Sequence, residues 1–185
     1  MLDMYRQPDK LLRACEVILE RRIAQARPAD PNDWDYPQRV GMPLWRGDPV
    51  FMSDAQFQKF YWPGLKKSLQ THVDLGYVPV PFFEAPFGDR LEYLLELPKG
   101  KILPAIEAAD AVRAKEILGG HLGLLVHCPN QFKLWSLNQV ESFVKELIDK
   151  CGRNGGLIIA FRMPDKARIE DTQAMLKSIK EYGRC

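Results

Sequence analysis

Residues 121–130 read HLGLLVHCPN, and residues 155–161 read GGLIIAF. Each is a short apolar run without polar alternation, which fits a strand of a parallel sheet covered on both faces. Between them lies SLNQVESFVKELIDKC, residues 136–151. Its Val140, Phe143, Val144, Leu147, Ile148 and Cys151 recur at helical spacing, and Ser136 with Gln139 forms an S-x-x-Q capping box. A strand, a helix and a second strand in that order place the strands parallel, because the return crossover needs the helix.

The same alternation extends in both directions. A helix is expected over 8–25, with Leu11, Leu12, Cys15, Ile18, Leu19 and Ile23 on one side, followed by a Pro-, Asp- and Asn-rich loop. A strand over 40–45 follows. A helix then begins at Ser53, boxed by Gln56 and kinked or restarted at Pro63. Strands over 77–83, 101–106, 122–127 and 156–161 are each followed by a helix: 89–97, one capped by Asp110 and ending near 118, 136–151, and 169–182. Five successive βα units leave two architectures, part of a (β/α)8 barrel or an open doubly wound sheet. No GxGxxG follows a strand; Gly119-Gly120 and Gly155-Gly156 precede strands and read as helix-end glycines.

The 185 residues suffice for a single domain spanning 1–185, and 46% hydrophobic with 27% charged residues is ordinary globular composition. A net charge of +2 gives no footprint for nucleic acid or a membrane surface. Cys15, Cys128, Cys151 and Cys185 form no CxxC, which fits a reduced, cytoplasmic protein. The N-terminus lacks the apolar core of a signal peptide, and no stretch nears the ~20 apolar residues of a membrane span.

In either architecture, ligands bind at the carboxyl ends of the strands. That rule selects Trp45-Arg46, Phe83-Glu84, Glu107, His127-Cys128 and Phe161-Arg162. Glu84, in an apolar collar of phenylalanines, is the first catalytic candidate, a general acid or a metal ligand. His127 is the second, as an acid or base working near neutral pH. Arg46 and Arg162 suit substrate carboxylates, with Trp45 and Phe83 as substrate-binding walls. Glu84 and Cys128 are the metal candidates, although residues 127 and 128 face opposite ways on a strand and no second His or Cys pair completes a set. His72 and His121 read as structural.

VFMSDAQFQKFYWPGLKKSLQ (50–70), VPVPFFEAPFGDRLEYLLELPKGKI (78–102), AKEILGG (114–120) and VKELIDKCGRNGGLIIA (144–160), in that order, resemble the uroporphyrinogen decarboxylase superfamily. The resemblance implies a TIM (β/α)8 barrel, entered about three βα units in and represented by its five C-terminal units. It also implies an enzyme, a methyltransferase or a carboxy-lyase. The superfamily's zinc-dependent, cobalamin-linked methyltransferases carry a His-x-Cys pair that falls on Phe82 and Glu84, and a later Cys that falls near residues 161–163, where there is none. The usual zinc ligands are therefore absent. Some relatives carry LHRG and FFEG where this chain has LWRG, with Trp45, and FFEA, with Ala85.

The leading expectation is methyl transfer involving a corrinoid or a thiol, with a small-molecule substrate and a corrinoid protein as partner. The first alternative is decarboxylation of uroporphyrinogen, a tetrapyrrole (porphyrin-type) substrate, by a lyase. The second is a non-catalytic half-barrel docking on a partner chain, either a missing N-terminal half or a homodimer mate.

Overall fold

The computed structural model describes residues 2–161 and 168–183. The N-terminal helices are α1 (Asp3–Arg6) and α2 (Pro8–Gln25). Five strands follow: β1 (Arg39–Leu44), β2 (Val78–Phe83), β3 (Ala105–Glu107), β4 (Leu124–His127) and β5 (Leu157–Ala160). They form one parallel sheet in the order β1-β2-β3-β4-β5. A doubly wound sheet reverses its strand order at a switch point. Here the order never reverses, so each crossover steps the same way and the helices collect on one face. The fold is α/β, consistent with a segment of a TIM-like barrel. No helix among the described residues is long and apolar enough to cross a membrane.

The helix-covered face holds the core. Leu44, Phe83, Ile106 and Val126 are buried and form one row of the register across four strands. They pack with Phe57, Trp62, Leu69, Leu91, Leu94 and Leu118. A second cluster forms beneath β4 and β5, where Cys128, Phe132, Val140, Val144 and Met175 join α6 (Leu137–Cys151) and α7 (Ile169–Tyr182) to the sheet. The other face is open within this chain. Gly41 and Pro43 are exposed, Val80, Phe82, Leu125 and His127 half-buried, and Ile158 is 49% exposed. Strands covered on both faces were expected; the apolar runs have that composition, but the described residues cover only one face.

Local chemistry explains where element boundaries moved. β3 begins at Ala105 rather than near residue 101, and only two rows join it to β2. In β2, the Val78 N–H donates to Gln38 on the β1 side, while Leu103 N–H donates to the Pro79 carbonyl on the β3 side. Alternation therefore turns Pro79 and Pro81 toward β3, where neither has an N–H to give, and the ladder shortens. Pro43 costs nothing comparable, because its missing N–H faces the unpaired edge of β1.

Pro63 acts through the same deficit. Without its N–H, the Lys59 carbonyl loses its helical donor. The chain runs from α3 (Asp54–Gln56) through a π turn (Phe57–Tyr61), closed by Trp62 N–H on the Phe57 carbonyl, into α4 (Trp62–Asp74). The helix expected over 89–97 is instead a 3-10 helix, Gly88–Glu96, burying Arg90, Leu91 and Leu94. Both Ser-x-x-Gln boxes form as expected. Asp110 precedes α5 (Ala111–Leu118) without capping it. Burial pushes its carboxyl above the usual range, opposed by a hydrogen bond from the Phe87 backbone.

The one-sided core predicts unequal responses from adjacent residues. Leu124→Ala, on the helix face, should cost about 2–5 kcal/mol in urea unfolding. Leu125→Ala, on the open face, should cost less than about half as much, because its side chain leaves water only in part.

Candidate functional site

Register delivers the strand ends to one rim. Leu44 pairs with Phe83, Phe83 with Ile106, and Glu107 with His127. Residues of one row share a face, and adjacent residues on a strand take opposite faces. Since Ile106 and Val126 enter the core, Glu107 and His127 turn to the open face. Phe82 is on that face as well, with its ring edge-to-face on His127 at 4.8 Å. β2 and β4 are second neighbours, separated by two strand spacings of about 4.8 Å in a flat sheet. Rings from those strands nonetheless meet across the intervening β3. They close over Ala105 of β3, which is 2% exposed although its face is uncovered.

The loop after β1 is built around a buried guanidinium. Arg90 donates to the Gly47 carbonyl at 2.8 Å, the Met52 carbonyl at 2.6 Å and Asp54 Oδ1 at 2.8 Å. Its guanidinium carbon stands 4.9 Å from the centre of the Phe57 ring. Buried Asp48 accepts from the Val50 N–H at 2.9 Å. Tyr61 donates to the Trp45 carbonyl at 3.4 Å, and its hydroxyl is pushed up to about 12 by burial and then by the Asp48 charge. A Cβ on Gly47 would approach the Tyr61 ring to 2.7 Å, so a larger residue there would displace that ring. These contacts hold Arg46 at φ +59°, a backbone conformation that non-glycine residues rarely adopt.

The sequence-derived residues take different places in the fold. His127 lies on the open face at the carboxyl end of β4, while Trp45 (66% exposed) and Glu84 (exposed) each follow the last paired row of β1 and β2. Arg46 is exposed and leans on its own loop, 5.8 Å over the Phe51 ring. Arg162 lies outside the described residues. Two expectations are corrected. Phe83 is not a substrate wall: its buried ring packs edge-to-face on Phe87 at 4.6 Å, behind the sheet. Cys128 is not positioned to share a metal with Glu84. Its buried thiol meets the Met175 sulfur at 3.7 Å on the helix side, and burial pushes it up to about 12.

The zinc implied by the methyltransferase resemblance does not fit. The position of its histidine ligand is Phe82, which has no donor atom, and Cys128 faces the other way. Among the described residues, no group of three or more His, Cys, Asp or Glu side chains could hold a metal ion. His72 and His121 each meet a backbone carbonyl, of Ser68 and Leu97, at 2.7 Å.

Phe82, Glu107 and Arg90 carry more of the site than the sequence reading assigned them. Alternation counted from Phe83 would have distinguished Phe82, but residues 78–83 are apolar on both faces and offer no polar reference for the count. Arg90 is the arginine of the Asp-Arg-Leu motif, whose buried role only the loop geometry reveals.

No family model and no curated protein matches this chain. A solved structure described as a methyltransferase from Methanosarcina mazei is similar in fold, with a TM-score of 0.73 at 17% identity. The match covers 100% of this chain and 53% of that one, so the chain spans about half the length of that methyltransferase.

Two outcomes follow from the site geometry. Arg90→Ala strands two buried carbonyls and should cost about 2–4 kcal/mol of unfolding free energy. Arg90→Lys should recover less than half of that loss, since an ammonium cannot reproduce the planar fork. In the native protein at pH 8, iodoacetamide should label exposed Cys15 and leave Cys128 unmodified until denaturant is added.

Proposed function

We propose that this chain forms part of a methyl-transfer enzyme acting at the carboxyl rim of its sheet, with a corrinoid or a thiol as methyl donor or acceptor. The observation that carries the reading is the fold match over the whole chain to a solved methyltransferase. The rim residues support it: imidazole, carboxylate and aromatic groups gather at strand ends where a barrel binds its substrate. His127 and Glu84 are the catalytic candidates. Arg46, Arg162 and Trp45 are the substrate-binding candidates. Membership of the uroporphyrinogen decarboxylase superfamily belongs to the same proposal and rests on the ordered motifs from residue 50 onward.

A second reading has its own observation. The open face is apolar, and among the described residues β1 and β5 each pair with a single strand. A partner presenting complementary βα units would cover that face and both edges. A monodisperse monomer in analytical ultracentrifugation at micromolar concentration would count against it.

The test of the first reading is loss of methylcobalamin absorbance in the presence of 2-mercaptoethanol. Turnover by the wild-type chain is expected, with rates lowered about 100-fold or more in His127→Gln and in Glu84→Gln. Added zinc should leave the rate unchanged. Absence of methyl transfer, together with loss of carboxylates from uroporphyrinogen detected by mass, would replace this reading with decarboxylation.

A further inference from the structure

We propose that the groove between α2 and α4 binds a medium-chain fatty acid, with the alkyl chain on the apolar floor and the carboxylate on a lysine at the groove's end. The site is separate from the carboxyl rim and does not rest on the methyl-transfer reading. α2 runs for 18 residues without burying one of them, so the rest of the described chain covers its apolar stripe only in part. Leu12 and Leu19 of that stripe face Phe60, Pro63 and Gly64 across a cavity of about 600 Å³. Small-molecule sites have volumes of that order. Gly64 keeps the cavity open, since a Cβ there would have Leu19 Cδ2, at 4.0 Å, as its neighbour from across the groove.

Charge decides the class of occupant. On the α2 wall, Arg13 and Glu16 neutralise one another at 2.7 Å, and Asp9 lies in the first turn of the helix, whose free N–H groups favour a carboxylate. On the opposite wall, Lys59 and Lys67 have no carboxylate partner among the described residues, and the Lys59 ammonium stands 5.3 Å from the centre of the Phe60 ring. The two lysines are eight positions apart, about 12 Å along a helix. The uncompensated charge is therefore positive and confined to one wall, with apolar surface between its two ends. A single alkyl chain with one terminal anion matches both features. An amphipathic helix charged on both flanks would find a matching wall on one side alone, and an alkylammonium would oppose the lysines.

The test is calorimetric titration of the whole chain with dodecanoate at pH 8, below the concentration at which it forms micelles. One saturable site is expected. Its occupancy should slow iodoacetamide labelling of Cys15, an exposed thiol lining the groove, by about tenfold or more. Octanoate should bind about tenfold or more weakly, because the gain scales with the methylenes buried. Lys59→Gln combined with Lys67→Gln should weaken dodecanoate about tenfold and leave dodecanol unchanged. Gly64→Leu raises helix propensity and fills the groove, so it should abolish binding with the unfolding midpoint unchanged or raised. Absence of saturable binding, binding that leaves Cys15 labelling unchanged, or full affinity in folded Gly64→Leu overturns the site. If Gly64→Leu does not fold, the Cys15 and lysine results decide. Equal affinity for dodecanol or dodecyltrimethylammonium overturns the anionic head. Dimerisation that protects Cys15 without ligand would assign the groove to a second copy of the chain and overturn the proposal.

Discussion

The parallel ladder with unreversed strand order is the constraint from which the remaining architecture follows. Each strand must return through a helix, each return steps the same way, and one face of the sheet takes all the helices. The apolar core consequently forms on that side, from Leu44, Phe83, Ile106 and Val126 against the helices. Among the described residues no helix covers the opposite, largely apolar face, and the carboxyl ends of all five strands open onto the same rim. On that face Phe82 touches His127 across β3.

The rim is held by buried polar groups as well as by packing. Arg90 and Asp48 organise the loop after β1 from within, the first through two carbonyls and a carboxylate, the second through a backbone turn. A guanidinium suits this role because its planar fork reaches several acceptors from one position and its apolar face stacks on Phe57. The resulting loop keeps Arg46 in a left-handed backbone conformation. Such strain persists only where surrounding contacts overdetermine it, and this one occurs beside the candidate site.

Prolines shape the sheet by what they lack. Pro79 and Pro81 remove donors from the side of β2 that meets β3, and the ladder between those strands contracts to the two rows nearest the rim. β3 is therefore short, and its last residue is Glu107. The backbone link between Leu103 and Pro79 carries the approach to that short strand. Where β3 begins thus depends on the hydrogen-bonding capacity of its neighbour β2.

The order of strands and helices was legible in the residues themselves, because apolar periodicity, capping boxes and glycine punctuation are local signals. The helix over residues 8–25, both Ser-x-x-Gln starts and the parallel direction of the strands came from that reading, as did the opposed faces of His127 and Cys128. Other properties depend on strand order and loop geometry. Barrel-like winding rather than double winding required the strand sequence in space. The choice of Phe82 over Phe83 required knowing which face the helices cover, since an all-apolar strand does not declare its sides. Arg90 could look like a surface charge until its acceptors, brought from residues 47, 52 and 54, surrounded it. Local sequence sets what each segment prefers to be, whereas burial and register are relations between segments distant in the chain. Only tertiary packing supplies those relations.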